Sequence, residues 1–143
     1  MLEPEQVAQA YARWIANGDP DFQAMMSPDL HDHVSGATGP QTWDTVWGWI
    51  KTSFGERSAE LHGWGTLDDD RIAVWVTLHG THIGSGMPWL EGRPPSGAQI
   101  AWKQLHVFAV EADRLTAHWA VRDDLAISRQ STRSPDASDT ALL

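Results

Sequence analysis

Residues 101–130 read AWKQLHVFAVEADRLTAHWAVRDDLAISRQ. Strand-forming composition runs from Ile100 to Val110 and again from Arg114 to Arg122, on either side of a short polar break. Two such runs joined by a tight turn predict a long antiparallel hairpin. This hairpin is the strongest local signal in the chain, and we interpret the remaining sequence around it.

The second strand of this hairpin leads into an aspartate. Alternation of side chains places Trp119, Val121 and Asp123 on one strand face and His118 on the other. A carboxyl group beside apolar side chains loses hydration, which raises its proton affinity towards a range useful for proton transfer. Asp is equally a preferred N-cap residue, which would let Asp123 begin the short helix predicted over residues 125–129. The sequence leaves both interpretations of Asp123 open.

Upstream of the hairpin, helical periodicity predicts helices over residues 4–17 and 40–54, with a shorter helix over residues 20–26. Strand composition predicts a second hairpin from 58–67 and 71–83. The loop that follows, residues 84–97, contains Met, Trp and Leu without periodicity among many Gly and Pro. A free loop has no reason to expose such side chains, so we expect it to close over or beside a cavity.

Four segments carry the most distinctive motifs of the chain. In order they are LHDHVS at 30–35, IAVWVTLHGTHIG at 72–84, RPPSGAQI at 93–100, and HVF with HWAVRDDL in the last hairpin. These motifs resemble those of the SnoaL-like polyketide cyclases, a branch of the nuclear transport factor 2-like fold group. The resemblance covers most of residues 5–130, and Ser96 stands where Thr is usual.

The resemblance implies a single α+β domain over residues 1–130. Its expected shape is a cone, with a strongly bent antiparallel sheet wrapped around three N-terminal helices and a deep apolar pocket. It also implies a homodimer packed through the outer face of the sheet. Residues 131–143, STRSPDASDTALL, have the composition of a disordered tail.

The resemblance further implies a cofactor-independent enzyme that closes a ring in an apolar polyketide-type molecule. Relatives that use an aldol step usually carry an Asp directly after the Trp of the last strand, assisted by a His in the preceding strand. This chain has Ala120 at the first position and His106 at the second. Either Asp123 or a histidine performs the proton transfer, or ring closure is a cycloaddition controlled by shape, or the protein binds without catalysing.

The candidate catalytic residues are therefore His106, Asp123 and His82, the last of which ends an apolar strand face. An epoxide hydrolase or a double-bond isomerase on the same scaffold is an alternative, and both reactions need a carboxylate with a raised pKa. A non-catalytic small-molecule-binding module is a third, since fold analogy alone does not establish catalysis.

Tryptophan is strongly enriched, with nine residues against one Tyr and three Phe. Trp offers large, rigid apolar area with one N–H donor, which suits a cavity for a large apolar ligand. About half of these residues would instead fill the core or a dimer interface. The candidate substrate-binding residues are His33, Trp47, Trp64, Trp75, Trp89, Trp102 and Trp119.

Charge and composition exclude several classes of protein. A net charge of -9 argues against binding a nucleic acid backbone. No apolar run approaches a membrane span and no signal peptide is evident, so we expect a cytoplasmic protein. The chain lacks Cys, dinucleotide-binding or phosphate-binding motifs, and a third ligand spaced to join His31 and His33, so neither a metal site nor a cofactor is expected.

Overall fold

The computed structural model describes residues 1–132 of this chain, and one five-stranded sheet wraps around its N-terminal helices. Most of the predicted tail, residues 133–143, lies outside the described residues. The elements are α1 Pro4–Asn17, α2 Asp21–Ala24, β1 Met26–Asp32, α3 Gln41–Ser53, β2 Phe54–Leu67, β3 Arg71–His82, a 3-10 turn Pro88–Leu90, β4 Gln99–Glu111, β5 Arg114–Arg122 and α4 Asp124–Gln130. The predicted α+β architecture is confirmed.

The sheet order is β1-β5-β4-β3-β2, and every neighbouring pair is antiparallel except β1 with β5. The predicted hairpin is present as β4 and β5. Its turn residues Ala112 and Asp113 have φ of 49° and 63°. Positive φ at both central positions matches the right-handed twist of the flanking strands, so the turn fixes their register.

The first helix packs against the concave face of the sheet. Its buried positions fall at helical spacing and include Tyr11 and Trp14. Gly18 ends the helix at φ 75°, and its amide donates to the carbonyl oxygen of Trp14 at 2.7 Å. Left-handed backbone favours glycine, so the helix ends where the sequence predicts.

The apolar face of the strand points inwards in β3 and outwards in β5. In β3 the predicted apolar face, from Ile72 to His82, is the buried one. In β5 the buried face contains His118, whereas Val121 is 75% exposed. The apolar face that ends in Asp123 therefore lies on the outside of the sheet.

The loop after β3 packs closely against the end of α3. Met87 and Leu90 are fully buried, and the amide of Met87 donates to the Ser53 hydroxyl at 3.0 Å. A Cβ atom at Gly84 would overlap the carbonyl oxygen of Thr52. The loop thus packs against the end of α3.

Within residues 1–132, no helix has both the length and the apolar character needed to cross a bilayer.

We expect Gly84→Ala to lower the free energy of unfolding by about 1–3 kcal/mol, because the added methyl group must displace backbone. Gly63→Ala is the matched control, since no atom lies within 4 Å of its added Cβ. Urea unfolding followed by Trp fluorescence measures both variants. Equal midpoints for the two would contradict the close packing of the loop on α3.

Candidate active site

A cavity of about 230 Å³ lies between the helices and the inner face of β4 and β5. Five tryptophans line its wall, and they are Trp14, Trp43, Trp49, Trp89 and Trp102. Its polar lining includes Tyr11, Asp32, Gln104, His106, His118 and Arg122. An apolar enclosure with a few convergent polar groups is the usual form of a small-molecule site.

Strand register brings most of these polar groups together. Across β4 and β5, Gln104 pairs with Arg122, and His106 pairs with Ala120. His118 lies two residues before Ala120, at the neighbouring inward-facing position of β5. It pairs with Asp32 of β1. Because β1 adds to β5 at the edge of the sheet, its last residue reaches the same face as the hairpin histidines.

A continuous chain of hydrogen bonds joins these side chains. Asp32 Oδ1 lies 3.1 Å from His118 Nδ1, and His118 Nε2 lies 2.8 Å from His106 Nδ1. His106 Nε2 lies 2.7 Å from Gln104 Oε1, which also accepts from the Tyr11 hydroxyl at 2.5 Å. All five residues are at most 5% exposed. Polar groups this deeply buried are stable only when they are paired in this way.

The hydrogen bonds determine where the protons lie. The Gln104 oxygen can only accept, so His106 carries its proton on Nε2. Burial, together with the positive charges of His118 and Arg122, lowers the pKa of His106 well below 6.5 and keeps the ring neutral. His106 Nδ1 then accepts the N–H of His118 Nε2, which leaves one proton shared between His118 Nδ1 and Asp32.

Asp32 is the carboxylate of this pair. Burial alone would raise the pKa of Asp32, but the hydrogen bond and charge of His118 and the amides of Val34 and Ser35 lower it. The Val34 amide donates to Oδ1 at 2.9 Å. Asp32 and His118 therefore form a buried ion pair in the cavity wall.

Three buried donors in the same wall have no acceptor among the described residues. They are Trp43 Nε1, Trp89 Nε1 and Gln104 Nε2. Burial raises the pKa of Tyr11, so its hydroxyl keeps its proton and donates it to Gln104 Oε1. Unpartnered buried N–H groups are rare, so the wall is suited to a ligand that brings oxygen acceptors.

Of the predicted site residues, His106, Trp89 and Trp102 line this cavity. Asp123 does not, because it is exposed and its carboxylate accepts from the Ala126 amide at the start of α4. The N-cap interpretation of Asp123 therefore describes its place in the structure. His82 is fully buried outside this wall, where its ring lies 2.8 Å from the Ser96 hydroxyl.

The remaining predicted residues lie away from the cavity wall. Trp64 and Trp75 are 44% and 55% exposed. Trp119 stacks on exposed His33 with ring centroids 4.6 Å apart. Trp47 lies beneath the guanidinium of Arg57, 4.9 Å from its centroid.

The sequence analysis missed Asp32, His118 and Arg122 as cavity residues. Alternation in LHDHVS places Asp32 on the opposite strand face from His31 and His33, and the pocket lies on the face of Asp32. A second signal was present in the hairpin, where Gln104 and His106 alternate on β4 and share a sheet face with Arg122 and His118 of β5. Polar residues repeated at period two in two pairing strands mark one shared polar face.

Within residues 1–132, no group of three or more His, Asp or Glu side chains is placed to hold a metal ion.

Known proteins resemble this chain in sequence and in fold. The family model for SnoaL-like polyketide cyclases matches residues 5–131. A search of curated protein sequences finds no match.

Solved structures with the same fold are numerous. TsrD from Streptomyces laurentii is 18% identical, with a TM-score of 0.78 over 92% of this chain and 98% of that one. IdmH from Streptomyces antibioticus, described as a putative polyketide cyclase, is 20% identical, with a TM-score of 0.72 over 90% of this chain and 98% of that one. A protein of ketosteroid isomerase-like fold from Catenulispora acidiphila, in complex with trimethylamine, is 13% identical, with a TM-score of 0.67 over 93% and 97%.

At these identities the solved structures support the fold alone, whereas the family match extends over nearly the whole sequence. This match implies a curled sheet wrapped around helices, with a cavity against the last hairpin. The chain belongs to the SnoaL-like polyketide cyclase family.

Proposed function

We propose that this protein closes a ring in an apolar polyketide-type intermediate by an intramolecular aldol or conjugate addition, without a cofactor. Membership of the cyclase family supports a cyclase-type role. The observation that carries the proposed chemistry is the buried Asp32–His118 pair, with His106 bonded behind it, in a cavity lined by tryptophans.

An aldol closure moves one proton off carbon and one proton onto oxygen. A basic group removes the proton beside a carbonyl, and the resulting enolate carbon attacks a second carbonyl carbon of the same molecule. The new alkoxide then takes a proton. Asp32 and His118 hold one basic site and one acidic proton between them, so the pair can accept the first proton and return the second.

Neutral donors in the wall supply stabilisation for the developing enolate or alkoxide. The indole of Trp43 lies next to His118, with ring centroids 4.8 Å apart, and its N–H has no acceptor. Fixed donors in a dry cavity stabilise negative charge more effectively than water does.

This arrangement accounts for the residue that is missing from the expected family pattern. Ala120 pairs directly with His106, so a carboxylate at that position would lie beside the histidine. In this chain the carboxylate comes instead from Asp32 of β1 and reaches His106 through His118. The proposal assigns to Asp32 the proton-transfer role that the sequence left to Asp123 or a histidine.

The ionised state of Asp32 bears on the alternatives. A double-bond isomerase would use the same base, because it also removes a proton beside a carbonyl. Membership of the cyclase family is what favours ring closure over isomerisation. A shape-controlled cycloaddition would use the same cavity without this pair.

We further propose that the protein forms a homodimer through the outer face of its sheet. Trp75, Leu105 and Val121 pair in register across β3, β4 and β5, and they are 55%, 45% and 75% exposed. A row of exposed apolar side chains across three strands marks an interaction surface. The flat pairing of two such rows would remove these side chains from water.

Asp32→Asn is expected to reduce turnover by about 100-fold or more, because it removes the base and neutralises the pair. Asp123→Asn should keep turnover, since Asn caps a helix as well as Asp does. The assay incubates each protein with an extract of the source organism and follows isobaric products by liquid chromatography and mass spectrometry. Full activity of Asp32→Asn would contradict proton transfer and indicate a cycloaddition, and loss only in Asp123→Asn would contradict our assignment of the base.

The neutral state of His106 predicts how stability depends on pH. The folded protein does not bind a proton at His106, whereas the unfolded chain does below pH 6.5, so acid favours unfolding. The free energy of unfolding keeps its full value above pH 6.5 and falls by about 2 kcal/mol by pH 5. Urea unfolding should show this decrease in the wild type and in the control His31→Asn, which changes an exposed histidine. An equal decrease in His106→Gln would show that His106 is not its source.

The dimer is tested by light scattering after size-exclusion chromatography. We expect twice the chain mass of 15.8 kDa for the wild type and a monomer for Leu105→Glu, which places a charge in the apolar row. Leu125→Glu is the control, because Leu125 is 60% exposed on α4 and is not one of the three paired side chains of the row. A wild-type monomer, or a dimer that survives Leu105→Glu, would rule out this interface.

A further inference from the structure

Arg122 places a cation in the cavity wall. Its guanidinium lies 5.5 Å from the ring centroid of Trp102 and 5.9 Å from that of Trp89. The side chain is 20% exposed. Stacking on two indoles covers the flat faces of the guanidinium and leaves its N–H edge as the part able to bind.

The described residues leave N–H groups on that edge without a hydrogen-bond acceptor. Among the described residues the nearest carboxylate oxygen is Asp124 Oδ2, at 3.6 Å from the Arg122 Nη2 atom, which exceeds hydrogen-bond length. The other oxygen of Asp124 already accepts the indole N–H of Trp102 at 2.9 Å. Asp124 therefore provides only a long ionic contact.

Two further donors lie beside Arg122 without acceptors. Gln104 pairs with Arg122 across the strands and has an unpartnered Nε2, and the indole N–H of Trp89 is buried and unpartnered. We define Arg122, Gln104 and Trp89 as the donor corner of the cavity. The donor corner offers one positive charge and at least three N–H bonds, and each of these side-chain groups needs an acceptor.

We infer that the donor corner binds a free carboxylate at one end of the ligand, and that the natural substrate is an acid and not an ester or amide. A carboxylate fits the planar fork of a guanidinium with two parallel hydrogen bonds. A neutral carbonyl would leave the charge of Arg122 compensated only by its long ionic contact with Asp124.

This inference rests on the proposed function for the orientation of the substrate. His118 lies four residues before Arg122 on β5, which corresponds to about 13 Å along a strand. The negative charge of Asp32 disfavours a carboxylate at the His118 end of the cavity. An acid held at the donor corner therefore extends towards His118 and presents carbon atoms distant from the carboxylate to the proton-transfer pair.

The test compares 2-naphthoate with 2-naphthamide, which share a shape and differ in charge. We expect the wild type to bind naphthoate about tenfold more tightly by isothermal titration calorimetry, as one charge-assisted pair allows. Naphthoate should also shift the indole N–H signal of Trp89 in ¹H–¹⁵N NMR spectra, assigned with Trp89→Phe. The wild-type comparison needs no variant, so it does not depend on whether a variant folds.

Arg122→Gln should abolish the preference and Arg122→Lys should keep part of it, because Lys retains the charge without the fork. Arg129→Gln is the matched control, since it removes an exposed arginine of α4 and should leave the preference unchanged. Equal affinity for the two probes, no binding of naphthoate at millimolar concentration, or a preference that survives Arg122→Gln would overturn the inference.

The two proposals fail in different ways. Asp32→Asn should still prefer naphthoate, because the ion pair is distant from the donor corner. If the preference is present but Asp32→Asn turns over normally, the proton-transfer proposal fails alone. If the preference is absent but Asp32→Asn is inactive, the carboxylate inference fails alone.

Discussion

A buried carboxylate requires a positive partner, and in this protein that requirement connects the first strand to the last hairpin. Asp32 ends β1 and His118 lies on β5, 86 residues later, yet their side chains meet at 3.1 Å. Leaving the Asp32 charge unpaired in the interior would cost several kcal/mol, so Asp32 depends on the parallel pairing of β1 with β5, which brings His118 to it. The rest of the chain encloses this pair.

The cavity wall carries two kinds of functional group at different positions along β5. Near His118 the wall offers a proton and a base, with the Trp43 indole N–H beside them. Near Arg122 it offers a cation stacked on two indoles. Tryptophan serves both regions because it excludes water and still provides a single directed donor. An elongated molecule with oxygen atoms at both ends matches such a wall better than a purely apolar one.

Local patterns were sufficient for most elements but not for β1. The last hairpin was predicted at 100–110 and 114–122 and is observed at Gln99–Glu111 and Arg114–Arg122. β1 was expected only around residues 31–33, because Ser27, Pro28 and Asp29 have the composition of a turn. They belong to a strand at the edge of the sheet, where proline is tolerated because one side of the strand forms no ladder.

The sequence by itself determined the last hairpin, because strand composition and turn chemistry act over a few residues, and its resemblance to the SnoaL-like cyclases indicated the fold and the candidate role of His106. Only the tertiary structure decided that Asp32, and not Asp123, lies with the histidines. Alternation tells which residues share a face, but whether that face points inwards depends on which strands and helices pack against it. In β5 the apolar face points outwards, because Trp43 of α3 packs against the face that carries His118.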